Sequence, residues 1–137
     1  MVDRLSKEHR SWNMSRIGSC DTKPEKIVRS LLHRLGYRFR LHRRDLPGRP
    51  DIVLPKFKTV IFVHGCFWHR HQGCRYAYTP KSRETFWSNK FAQNVARDRR
   101  DQKDLCDAGW HVIIIWECET RDIDVLARRL VKGLPSP

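Results

Sequence analysis

Hydrophobic positions along the chain switch between helical and strand spacing in a definite order. Ile27, Leu31, Leu32 and Leu35 fall on one face of a helix. Thr22 and Glu25 ahead of them have the capping-box spacing, with Pro24 in the first turn, where no amide hydrogen is needed. Gly36 supplies the stop. Tyr37 to Leu41 alternates apolar and basic residues, as a half-exposed strand does. Residues 43–50, RRDLPGRP, hold two prolines and a glycine and predict a loop. Asp51–Leu54 and Thr59–Val63 read as two strands joined by a tight turn around Lys56.

A Gly/Cys/His-rich stretch follows over residues 64–75. Residues 83–107 predict a long helix carrying Phe86, Trp87, Phe91, Val95 and Leu105 at helical intervals. His111–Trp116 is a β-branched strand, and Ile123–Val131 a closing amphipathic helix. The order α-β-β-β-α-β-α predicts an α/β fold with a central mixed sheet flanked by helices, in one domain over residues 21–137. Residues 1–20 are polar and basic, with Trp12, Met14 and Ile17 interleaved, and read as an arm or short helix.

Charge changes the picture. Twenty-eight Lys and Arg against fifteen Asp and Glu give a formal +13 within 137 residues. Such an excess repels itself unless a polyanion is the normal partner, and nucleic acid meets that need through phosphate neutralisation and counterion release. No apolar run approaches the roughly 18–20 residues of a membrane span, so no membrane partner is expected. The charged start, MVDRLSKEHR, lacks the apolar region of a secretory signal, which predicts a cytoplasmic protein. In that compartment five cysteines argue for metal or buried thiols over disulfides.

Cys66-x4-His71-x2-Cys74, with Cys118 arriving from the last strand, supplies three thiolates and an imidazole. That set suits a tetrahedral structural zinc, with His69 or Cys106 as possible substitutes for one ligand. The other reading is four ordinary small core residues. For phosphodiester chemistry the candidate is Asp51, which opens a strand directly after Gly48-Arg49-Pro50 and can face a cleft at a sheet edge. The next strand ends at Val63-His64, on the same side if the two pair as a hairpin, so a divalent metal could be held by Asp51 and the Val63 carbonyl. Glu25 could reach it through water or could only complete the cap. Asp98 lies in Arg97-Asp98-Arg99-Arg100-Asp101, where a solvated face is the default expectation.

Longer strings say more. Leu46-Pro47-Gly48-Arg49-Pro50-Asp51, followed by Val60 to His69 (VIFVHGCFWH), resembles the very short patch repair (Vsr) endonucleases. Phe86-Trp87, Asn94-Val95, Arg97 to Asp101, Gly109-Trp110 and Trp116-Glu117-Cys118 extend the likeness, in register from about Ser11 to about Cys118. The resemblance implies a restriction-endonuclease-like core and a nick beside the thymine of a T:G mismatch, the product of 5-methylcytosine deamination. It implies double-stranded DNA as substrate and a functional link to a cytosine-5 DNA methyltransferase; asymmetric chemistry on one strand predicts a monomer, and DNA as substrate predicts association with the nucleoid.

Residue by residue, the resemblance makes Asp51 the principal magnesium ligand, with the Val63 carbonyl as a second and Glu25 acting through water. It makes His69 the general base, oriented by Asp98, with His64 assisting near the scissile phosphate. Cys66, His71, Cys74 and Cys118 match the family's structural zinc set. Phe67, Trp68 and Trp87, which as plain aromatics would be core, match residues that wedge into the base stack. Lys90 and Asn94 match positions that touch the mispaired bases, and Met14 would press from the opposite groove.

There are departures. Gln72-Gly73 adds one residue to the zinc loop, Arg70 interrupts a histidine run, and Val63 replaces a threonine. The absence of a carboxylate-x-lysine signature after Val63 favours histidine-based chemistry. Two other functions compete: a restriction-like endonuclease on matched duplex, and a zinc-bearing nucleic-acid module without catalysis.

Overall fold

The computed structural model describes residues 21–137, and the first helix among those described residues is α1 (Lys23–Arg34). The arm expected over residues 1–20, including Met14, lies outside the described residues. Both halves of the capping box form: the Thr22 amide donates to Glu25 Oε2 at 2.7 Å, and the Glu25 amide donates to Thr22 Oγ1 at 3.4 Å. At the other end Gly36 takes φ +93°, and the Tyr37 and Gly36 amides donate back to the Leu32 and His33 carbonyls. This termination needs a left-handed residue, which glycine provides without a Cβ penalty.

Four strands follow: β1 (Arg40–Leu41), β2 (Ile52–Leu54), β3 (Thr59–His64) and β4 (His111–Trp116). The sheet order is β1-β2-β3-β4, with antiparallel pairing up to β3 and parallel pairing of β3 to β4. The sheet is mixed, as the element order predicts. Helix α2 (Glu84–Asp107) makes the crossover from β3 to β4, and α3 (Ile123–Gly133) closes the chain. The turn around Lys56 is a short 3-10 segment, Pro55–Phe57, left through Lys58 at φ +47°.

The first strand is shorter than expected. Only Arg40 and Leu41 pair, because Tyr37 is committed to the helix end and to the core, its hydroxyl donating to the Pro135 carbonyl at 2.6 Å. Alternation along β2, β3 and β4 splits the core in two. Ile52, Leu54, Ile61 and Ile115 face α1 and α3, where they meet Val28, Leu31, Leu32, Leu126 and Leu130. Val53, Val60 and Phe62 face the other side and pack with Leu105 of α2. Each fully buried aliphatic side chain contributes roughly 1.5–3 kcal/mol, so both faces help to fix the sheet. The parallel pair β3 and β4 ends at the same edge, with His64 opposite Trp116. The start of β2 reaches that edge from the opposite direction.

Candidate active site and metal centre

Asp51 sits one residue before β2, directly at that edge. Its Oδ2 accepts the Val63 amide hydrogen at 2.6 Å, across the antiparallel hairpin. Gly48 shapes the approach: it takes φ +75°, and a Cβ there would lie 2.9 Å from the Asp101 Cβ. The loop can therefore press against α2 only as glycine.

The Glu25 carboxyl faces Asp51 closely enough for the two to share a hydrogen bond when one of them holds a proton. The two readings of Glu25 are thus not alternatives, since the same side chain caps α1 and faces the Asp51 carboxyl. Burial, the Glu25 hydrogen bond and the Glu25 charge push the Asp51 carboxyl up to about 8, against the opposing pull of the Val63 amide and the Arg29 charge. Two buried carboxyls facing each other are a donor set that a divalent cation would relieve.

His69 comes from the loop after β3, and its Nδ1 lies 2.6 Å from Asp98 Oδ2. The default expectation of a solvated face fails for Asp98, whose side chain is only 16% exposed. The reason is helical register: Asn94, Asp98 and Asp101 share the stripe of α2 that turns toward the sheet edge, while Arg99 and Arg100 point to solvent. His64 stacks on His69 with ring centroids 3.8 Å apart and planes within 7°. Burial, together with the His69 charge, holds His64 down at about 4, so it is neutral at ordinary pH.

The four zinc candidates converge. The ligand atoms of Cys66, His71, Cys74 and Cys118 all lie within 4.8 Å of one another. Backbone turns set the loop, from the His71 amide to the Cys66 carbonyl at 3.0 Å and from the Cys74 amide to the His71 carbonyl at 3.3 Å. Burial pushes the Cys66 thiol up to about 12. Three thiols and an imidazole at this spacing fit a tetrahedral zinc, which would hold the sulfurs as thiolates. His69 belongs instead with His64 and Asp98, and Cys106 is exposed on α2 and outside the cluster. Trp116 stands between the two groups, stacked on His71 at 4.2 Å and edge-on to His64 at 5.3 Å.

One cleft of about 1880 Å³ joins these parts and is lined by Glu25, Asp51, His64, His69 and Asp98. Small-molecule pockets run to roughly 300–1,000 Å³, so this cleft suits a macromolecule. None of the four zinc candidates lines it, which fits a structural role. Its wall is aromatic. Phe67 meets Trp68, Tyr78, Trp87 and Phe91 at centroid distances of 5.0–5.5 Å, and Trp68 meets Trp87 at 5.9 Å. Phe67 is therefore packed as well as presented to the cleft. Lys90 lines the cleft and is exposed. Asn94 is buried, its Nδ2 donating to the Trp68 carbonyl at 3.1 Å and its Oδ1 accepting from Arg97.

Sequence reasoning missed Arg70. Its guanidinium donates to the Phe67, Ala77 and Tyr78 carbonyls and to Thr79 Oγ1, and lies 3.9 Å over the Phe91 ring. It ties the zinc loop to the aromatic wall. The only signal was its intrusion into a histidine run.

Residues 2–75 match the family model described as DNA mismatch endonuclease Vsr. The chain is 55% identical over 130 residues to the type II nicking enzyme V.XorIIP of Xanthomonas oryzae pv. oryzae, covering 95% of each. It is 47% identical over 121 residues to the DNA mismatch endonuclease Vsr of Escherichia coli, covering 88% of this chain and 77% of that one. Among solved structures it resembles the catalytic domain of homing endonuclease I-Bth0305I, with a TM-score of 0.58 and 23% identity, over 82% of this chain and 94% of the other.

Proposed function

The chain belongs to the DNA mismatch endonuclease Vsr family and is a DNA endonuclease with a restriction-endonuclease-like fold; on that premise we propose that it nicks one strand beside the thymine of a T:G mismatch. The observation that carries this reading is the meeting, in one cleft, of the Asp51–Glu25 carboxyl pair with the Asp98–His69 pair under an aromatic wall. Deamination of 5-methylcytosine generates such mismatches, so a cytosine-5 DNA methyltransferase is the functionally linked partner. A single site cutting a single strand fits a monomer, working at the nucleoid in the cytoplasm.

Asp51 and the Val63 carbonyl would hold a magnesium ion, with Glu25 acting through water, and the ion would supply charge neutralisation at phosphorus and at the leaving oxygen. The chain's own residues handle the proton. Asp98 accepts the Nδ1 hydrogen of His69, which leaves Nε2 as the free base for the attacking water, and Asp98 then stabilises the imidazolium that forms. Neutral His64 supports the His69 ring by stacking and offers an imidazole N–H to the scissile phosphate. Cys66, His71, Cys74 and Cys118 would hold a structural zinc, which would fix the loop carrying Phe67, Trp68 and His69.

Phe67, Trp68 and Trp87 enter the base stack, and a wobble pair makes that step cheaper to unstack than a matched one. Lys90 and Asn94 contact the mispaired bases, and Met14 approaches from the other groove. Product mapping on a duplex with one T:G pair tests the proposal. It predicts one break next to the thymine and an intact complementary strand, whereas breaks in both strands would reject it.

A further inference from the structure

The zinc loop carries a feature that the nicking chemistry does not use. Arg75 Nη2 donates to the Tyr76 hydroxyl oxygen at 2.8 Å, and Arg121 Nη1 donates to the same oxygen. Both guanidiniums also lie over the Tyr76 ring, at 4.9 Å for Arg75 and 4.3 Å for Arg121. Two cations from positions 46 residues apart are thus gathered on one phenol. Among the described residues neither has a carboxylate within ion-pair distance. Glu119, two residues from Arg121, is taken up by Arg129 at 2.6 Å.

Two guanidiniums gathered on one phenol with no carboxylate beside them suit an anion. With both lone pairs of its oxygen occupied, the Tyr76 hydroxyl keeps its hydrogen for an outside acceptor. Arg121 and the neighbouring Thr120 line the catalytic cleft. We propose that Arg75, Tyr76 and Arg121 form a clamp for a backbone phosphate of the DNA duplex, outside the scissile step. The inference rests on the reading of the cleft as a DNA site. Guanidinium forks suit phosphate oxygens, and the ring fixes both forks before DNA arrives. Each arm is anchored near the zinc set, Arg75 directly after Cys74 and Arg121 three residues after Cys118.

A phosphate contact adds affinity without sequence or mismatch information. The test is the salt dependence of duplex binding, by fluorescence anisotropy without added divalent metal, on T:G and T:A duplexes. The parent is compared with Arg75→Ala/Arg121→Ala, and with Arg128→Ala/Lys132→Ala on the exposed side of α3 as a control of equal charge. The clamp predicts a weakening of about tenfold for the first pair, equal on both duplexes, with the salt slope reduced by about 1. It predicts little change for the control pair. Tyr76→Phe, which keeps the charge and the ring, should lose an intermediate share of affinity. Equal losses for clamp and control pairs would overturn the proposal, as would a parent that binds no duplex. If the parent binds both duplexes alike and nicks neither, the mismatch reading fails while the clamp result still stands.

Discussion

His69 holds its Nδ1 2.6 Å from Asp98 Oδ2 while its ring lies flat on His64, so its orientation is fixed from two directions. The carboxylate sets the tautomer and the stacked ring sets the plane, and neither partner comes from the loop that carries His69. An imidazole held this way would be ready to act as a base without rearrangement. His69→Ala is expected to lower kcat by about 10²–10⁴, the usual share of general acid–base catalysis. Asp98→Asn keeps the shape but not the charge, and should lower kcat with little change in DNA affinity. Single-turnover nicking at saturating enzyme, beside a binding titration, checks both.

Asp51 makes a prediction about stability with a definite sign. Its carboxyl is raised from 3.8 to about 8, so between those values the unfolded chain has lost a proton that the folded chain keeps. Folding then takes up a proton, and this group's contribution falls as pH rises through the window. Asn at this position does not titrate. Without divalent metal, Asp51→Asn should therefore gain on the parent by on the order of a few kcal/mol as pH rises across the window, and magnesium should narrow the gap by stabilising only the parent. His64, held at about 4, contributes with the opposite sign below its ordinary value of 6.5, and is common to both proteins. Urea melts at several pH values check this, and nicking by the variant should be lost throughout.

Cys118 completes the candidate Cys/His set from beyond β4, so its loss should be felt far from the cleft. Cys118→Ser is expected to lower zinc content and melting temperature together, since metal binding is part of the folding free energy of such sites. Metal analysis of the purified variant beside a thermal melt decides it. Full zinc occupancy would remove Cys118 from the set.

Trp68 touches Phe67 and Trp87 and faces the cleft, so it is less committed to packing than Phe67. Trp68→Ala should reduce the preference for T:G over T:A while leaving much of the affinity for duplex in place. Competition binding between the two duplexes reads this. An unchanged preference would count against an aromatic wedge at this position.

Much of the fold was legible because its signals are local. The Thr22–Glu25 cap, the Gly36 stop and the apolar runs of β2, β3 and β4 each follow from neighbours in the chain. The spacing Cys66-x4-His71-x2-Cys74 likewise groups donors that one loop can bring together. What the residues alone could not settle depends on contacts between distant segments. Glu25 reads as a cap until Asp51, 26 residues on, is seen against it. Asp98 reads as one charge in a solvated run until helical register turns it to His69. Tyr37 reads as strand because nothing near it announces the Pro135 carbonyl that holds it. Arg70, Arg75 and Arg121 read as unspecific positive charge, although the fold gives each a set of partners.

The proposed function comes down to metal-dependent nicking confined to one strand of a mismatch. It is tested most directly on duplexes labelled on each strand in turn, T:G against T:A, with and without magnesium. A mismatch nickase gives a single magnesium-dependent nick beside the thymine of T:G, and none in the other strand or in T:A. Equal cutting of the matched duplex, or cutting of both strands, would contradict it.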